Sequence, residues 1–176
     1  NVRVSKENLV GEKNQGWYVA VTLLDFERSG IDDAASCQRL LDDLTKYVGE
    51  AEEKGLNRAG EWWVKDMLAQ RYIETEVARL IAYRVAWMQS QDLVPNKEAS
   101  MSKVFGSETY QRVADTGLKI LGLYGQLTRD DRWAPLEGHV QQAWRYSFSG
   151  TIAAGTSEIQ RNIIALLKLE DLVTQN

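Results

Sequence analysis

Only two prolines, Pro95 and Pro135, interrupt 176 residues. Proline removes a backbone donor and clashes with the preceding helical turn, so long helices meet almost no obstacle here. Good helix formers fill the stretches between glycines. The pattern predicts an α protein. The start is the exception, because Val2-Arg3-Val4-Ser5 alternates as a strand does before the loop signal Gly11 to Gly16. A short strand left from a preceding domain is expected there.

From Trp17 to Leu24 nearly every residue is apolar, which predicts a core helix buried on most sides. A second helix is expected over about 31–51, with Leu40, Leu41, Leu44, Tyr47 and Val48 as its apolar stripe. The longest, over 61–91, carries Val64, Met67, Leu68, Ile73, Val77, Leu80, Ile81, Arg84 and Met88 at helical spacing. A fourth, over 99–121, ends in Gly122-Leu-Tyr-Gly125, the glycines of a helix terminus. Two shorter helices are expected over 137–148 and 156–169. Four substantial helices joined by short loops imply an all-α, up-and-down four-helix bundle with additional C-terminal helices.

Composition narrows the function. Lys and Arg number 21 against 25 Asp and Glu, a net charge of −4 without the basic excess of a nucleic-acid-binding face. Cys37 is the single cysteine and His139 the single histidine, so neither a disulfide framework nor a zinc cluster is expected. No apolar run approaches the roughly 18 residues of a membrane span. The first residue is not Met, and the chain reads as a piece of something longer from a reducing compartment. A bacterial cytoplasm is expected, with the mitochondrial matrix as the other setting.

The segment Ala154-Gly-Thr-Ser-Glu-Ile-Gln-Arg161 carries the most chemistry. Thr156 or Ser157 as N-cap, with Glu158 in the first turn, opens a helix whose free N–H groups and positive dipole end can hold polar or anionic ligand atoms. Capping alone also accounts for these residues. The segment further resembles the FAD-binding signature near the end of acyl-CoA dehydrogenases. Gly11 to Trp17 is similar to that family's entry into its C-terminal domain, Asp25-Phe-Glu-Arg28 to its substrate-contacting helix, Ala99 to Lys103 to its mid-domain helix, and Gly122 to Gly125 to its glycine turn beside FAD. The five matches fall in the family's order along nearly the whole chain.

The resemblance implies residues 1–10 as the end of a middle β-domain and 11–176 as the C-terminal helical bundle. It implies FAD as cofactor, an acyl-CoA thioester as substrate, an electron-transferring flavoprotein as partner, and a homo- or hetero-oligomer of two or four subunits. The reaction is α,β-dehydrogenation: a carboxylate removes the α-proton while the β-hydrogen leaves as hydride to the flavin. Asp25, Phe26, Arg28, Ala154 and Gly155 are carried over as substrate contacts, and Lys119, Gly122, Thr156 and Glu158 as FAD contacts.

Many members place the base immediately before the Gly-Thr pair, and here that position is Ala154. A minority keep it on the earlier helix, at the position of Glu27. Trp17, Val21 and Leu24 share a stripe with Glu27, at the end of an apolar face. An ion-paired helix end of Asp25, Glu27 and Arg28 is the plain reading of the same residues. The Ala154 N–H remains able to donate to a thioester carbonyl. Between Tyr47 and Trp63 the family's Arg and Phe-Gly pair are absent, with Arg58 as a conceivable substitute. These departures keep a second expectation open, a non-catalytic subunit of a heteromeric dehydrogenase that completes a partner's site. His139 reads as a surface or capping histidine, and Trp62, Trp63, Trp87, Trp133 and Trp144 as core or interface anchors.

Overall fold

The computed structural model describes residues 1–53 and 61–174, and the side chains of Asp25, Phe26 and residues 167–174 lie outside that description, as does Arg58. Six α-helices follow one another: α1 (Gly16–Glu27), α2 (Ile31–Glu53), α3 (Trp62–Ser90), α4 (Asn96–Leu121), α5 (His139–Gly150) and α6 (Ser157–Thr174). Single 3-10 turns cover Lys6–Asn8, Gly122–Gln126 and Pro135–Gly138. The fold is the expected all-α bundle with additional C-terminal helices, and the helix bounds fall within a few residues of the sequence pattern.

The helix α4 is the hub. It packs against α3, α5, α6 and α2, while α1 rests on its N-terminal half. The main core joins Leu40, Leu41 and Leu44 of α2 to Val113, Ala114 and Leu121 of α4 and to Val140 and Ala143 of α5. A smaller cluster ties Val48 and Ala51 to Val64 and Ile120. Between α3 and α4, the Arg112 Nε donates to Glu74 at 2.9 Å, and Arg71 closes on the same carboxylate at 3.1 Å.

Three expectations are corrected. No strand forms among the described residues, and Val2 to Ser5 is exposed chain leading into a 3-10 turn, since an extended segment needs a neighbouring strand to take its hydrogen bonds. The helix α1 forms as expected but is not buried on most sides, for Trp17 is 75% exposed and Tyr18 and Leu23 stand equally open. A helix that is apolar all round is buried only where partners surround it, and α4 covers a single face. Finally, α3 buries Val64, Thr75, Ala78, Ala82 and Val85, leaving Ile73, Val77, Leu80 and Arg84 exposed. Small side chains let α3 approach α4 closely, so the bulkier apolar stripe turns outward. Trp62, Trp87 and Trp133 are exposed too, whereas Trp144 packs edge-on against Phe148 with centroids 5.0 Å apart.

Candidate active site at the ends of α1 and α6

The turn between α5 and α6 is built by hydrogen bonds and by two residues in left-handed backbone. Ser149 O accepts the N–H groups of Ile152 and Ala153, and Thr151 O accepts that of Ser157 at 3.0 Å. Ala154 has φ +54° and Gly155 φ +94°. For alanine this conformation costs on the order of 1 kcal/mol, a strain held only by surrounding contacts. Those contacts are present. The Ala154 carbonyl accepts from Arg28 Nε at 3.1 Å and from Gln160 Nε2 at 3.2 Å, and Gln160 also reaches Gly155 O at 3.4 Å. A Cβ on Gly155 would stand 2.6 Å from Gln160 Nε2, so glycine is required twice over. The Ala154 N–H donates to no group among the described residues.

The other wall is the end of α1. Arg28 caps that helix and is 8% exposed, its guanidinium turned inward onto the Ala154 carbonyl. Ser29 O accepts from Ser102 Oγ of α4 at 2.7 Å. Gly30, at φ +72°, passes so close to Ser102 that any side chain there would collide with it. Glu27, the last residue of α1, is exposed. The two positions at which the base is expected, Glu27 and Ala154, are thus brought to one corner by Arg28, across 126 residues of sequence.

Charge is concentrated beneath this corner. Lys103 of α4 is 7% exposed and its Nζ has no hydrogen-bond partner among the described residues. Burial lowers its proton affinity, while Asp33 opposes that and Arg28 adds to it. Asp33 is itself pushed up to about 6, by burial first and the Asp32 charge second, with Lys103 working the other way. Glu158, at the start of α6, is held below the usual carboxylate range by its own backbone N–H and then by the Thr156 hydroxyl. Thr156 caps α6 weakly, accepting from Ile159 N–H at 3.4 Å.

The four expected FAD contacts do not share one pocket. Thr156 and Glu158 line a cleft of about 380 Å³ with Glu108, Gln111, Arg112 and Thr151. Lys119 and Gly122 line another of about 650 Å³ with Leu118, Leu123, Trp144 and Arg145. At 1.5 Å per residue along α4 the two lie roughly 14 Å apart, with a further depression at Arg112, Asp115 and Phe148 between them. The second cleft offers an aromatic face and the cations Lys119 and Arg145, a donor set that fits an anionic dinucleotide, although Lys119 already pairs with Asp115 at 2.6 Å. No metal-binding group of three His, Cys, Asp or Glu exists among the described residues. His139 sits exposed at the start of α5, 3.9 Å from Asp43.

Sequence reasoning missed Gln160 and Lys103 as parts of this corner. Both had a signal: Gln160 is five residues past Gly155 on the inner face of α6, and Lys103 interrupts a run of small residues that α4 buries.

Comparison with known proteins identifies the family. The C-terminal domain of acyl-CoA dehydrogenases matches residues 14–166. Acyl-CoA dehydrogenase FadE26 of Mycobacterium tuberculosis is 31% identical over 96% of this chain and 43% of its own length. CarC, a subunit of the caffeyl-CoA reductase-Etf complex of Acetobacterium woodii, is 30% identical over 97% of this chain and 43% of its own. The solved Tcur3481-Tcur3483 steroid ACAD superimposes with a TM-score of 0.83 at 31% identity, over 96% of this chain and 43% of that one. This chain therefore spans about two fifths of the length of the relatives it matches, and it belongs to the acyl-CoA dehydrogenase family as a C-terminal helical domain.

Proposed function

We propose that this chain is the C-terminal part of an FAD-dependent acyl-CoA dehydrogenase in which Glu27 removes the α-proton of an acyl-CoA thioester. The observation that carries the reading is the 3.1 Å hydrogen bond from Arg28 to the Ala154 carbonyl, which places the end of α1 against the turn where the base more often resides. Glu27 stands next in sequence, so its carboxylate replaces one missing from Ala154 at the same corner. The Ala154 N–H, strained backbone and all, is left to donate to the thioester oxygen as negative charge develops there. Asp25, Phe26 and Arg28 serve the substrate, with Gly155 giving room for close backbone approach. FAD, when bound, supplies the acceptor for the β-hydride. Thr156 and Glu158 hold it beside the middle of α4, and Lys119 with Gly122 hold a dinucleotide at the C-terminal end of that helix, each pair being part of a site that further protein completes.

Residues 1–10 are the end of a β-domain in this reading, and the open face of α1 meets the rest of the protein. A bulky acyl group is favoured, because Ala153 and Ala154 leave the turn small and because CarC and the steroid ACAD are named for ring-bearing compounds. An electron-transferring flavoprotein and further subunits are the partners, in line with the complex named for CarC.

The second reading, a supporting subunit of a heteromeric dehydrogenase, is favoured by the alanine at position 154. An anaerobic titration of the flavin-loaded intact protein with a panel of acyl-CoAs separates the two. Bleaching of the flavin that disappears in Glu27→Gln is the expected result. Normal bleaching in that variant, or flavin retained only beside a second chain, makes Glu27 structural and this the supporting subunit.

A further inference from the structure

A pocket of about 310 Å³ opens between α2 and α5, and none of the residues carried over as substrate or FAD contacts lines it. Its floor is apolar. Leu40 of α2 and Ala143 of α5 are buried there as members of the main core. Its walls are aromatic: Tyr110 rises from α4 with its ring packed on that core, and Tyr146 of α5 stands exposed at the rim. Burial first, then the nearby Cys37 and Asp33, and last Tyr146, push the Tyr110 phenol up, so at neutral pH it keeps its proton as a donor. No hydrogen-bond partner takes that proton among the described residues, although a tyrosine hydroxyl drawn into a protein usually has one.

Charge completes the set. Arg39 of α2 lines the same pocket and pairs with no carboxylate among the described residues. Asp43, one turn further on, is the one acid in the lining, and it faces His139 Nδ1 at 3.9 Å. A guanidinium with no anion, a phenol donor with no acceptor and an apolar floor between aromatic walls suit a flat molecule that bears a carboxylate. A bare inorganic anion would leave the floor and the rings unused, and a neutral ring would leave Arg39 without its anion. The volume lies at the small end for ligand pockets, enough for one ring and its substituents.

We propose that this pocket binds a small cyclic carboxylate, its carboxylate on the Arg39 guanidinium and the Tyr110 hydroxyl, its ring between Tyr110 and Tyr146 over Leu40 and Ala143. The site is separate from the acyl-CoA chemistry proposed above and stands whether or not Glu27 is the base.

Benzoate is the probe, titrated into the intact, flavin-loaded protein and followed by saturation-transfer NMR, with flavin absorbance recorded alongside. Saturable binding with a Kd of about 1 mM is expected, in the range open to a ligand of so few atoms, and the flavin spectrum should not change. Acetate, which lacks the ring, and benzamide, which lacks the charge, should each bind about tenfold more weakly or worse. Arg39→Gln should weaken benzoate about tenfold and Tyr146→Ala about threefold. Both side chains are exposed, so the thermal midpoint should hold while binding falls. Arg39→Lys, which keeps the charge but loses the planar fork, should fall between the parent and Arg39→Gln. Absence of saturable binding up to about 20 mM overturns the proposal, and is the result if the rest of the protein or a second subunit fills the pocket. So does benzoate binding that Arg39→Gln leaves unchanged, or a benzoate signal that perturbs the flavin and is displaced by acyl-CoA, which puts the probe in the reaction site instead.

Discussion

The two halves of α4 bury opposite kinds of side chain. Its C-terminal half sets Val113, Ala114, Ile120 and Leu121 against aliphatic residues of α2 and α5. Its N-terminal half buries Ser100, Ser102, Lys103, Ser107 and Thr109, and the neighbouring chain ends add Arg28, Ser157 and Gln160. Apolar contacts are non-directional and add with area, so they stabilise without fixing fine geometry. Hydrogen bonds in a dry setting are directional, and they fix geometry at the cost of desolvating every group involved. One end of the helix therefore holds the bundle together, and the other holds a strained turn in place.

The sharpest way to break this comparison is to remove bulk from the apolar end. Leu44 is fully buried between α4 and α5. Leu44→Ala is expected to cost about 3 to 4 kcal/mol, from lost burial and the cavity left behind, read as a drop in the urea midpoint at unchanged slope. The pH profile of flavin reduction should not move. A shift there would mean that the two halves are mechanically coupled and the division is false.

Gly155→Ala strikes the polar end. Both the left-handed φ and the 2.6 Å approach to Gln160 Nε2 oppose a methyl group. About 2 kcal/mol of stability should go, less than for Leu44, while flavin reduction falls further than for the core variant because the turn that positions the Ala154 N–H is displaced. Gln160→Met is milder. It leaves Arg28 as the remaining donor to the Ala154 carbonyl but takes the Gln160 donor from the Gly155 carbonyl, and about 1 to 2 kcal/mol is expected from that lost partner. Should Gln160→Met and Leu44→Ala reverse in order by urea unfolding, the polar end would be the main source of stability.

The same division explains what was legible in the sequence. The apolar half declared itself, because Leu40, Leu41, Leu44 and Val48 recur at helical spacing and the glycines at 122 and 125 mark where α4 stops. The turn between α5 and α6 was legible only as a motif with a gap at Ala154, since φ values and a hydrogen bond spanning 126 residues leave no local pattern. Periodicity failed for α3, where Thr75, Ala78 and Ala82 are too small and polar to read as a core stripe beside Ile73 and Leu80. It failed for α1 in the opposite sense, because apolar residues all round the helix say that partners are needed but not that this chain provides them. Lys103 was quoted within a matching segment without its burial being foreseen, for a lysine is ordinarily exposed.

The smallest effect is the most specific to the polar end, and its sign can be worked out. Asp33 is raised from 3.8 to about 6, chiefly by burial. The folded chain then binds that proton more tightly than the unfolded chain does, so the carboxyl favours folding below about pH 4 and this contribution is lost as pH rises through 6. Above that the buried carboxylate is a liability, discounted here to about 1 kcal/mol because Asp33 is not wholly buried and Lys103 partly offsets it. Asp33→Asn removes the titration, and the other carboxylates cancel when variant and parent are compared at each pH. Relative to the parent, the variant should therefore gain stability steadily from pH 4 to pH 6.5 and level off beyond. A difference that stays flat over that range would show Asp33 titrating as an ordinary surface carboxylate, and with it a polar end as wet as any other surface of the bundle.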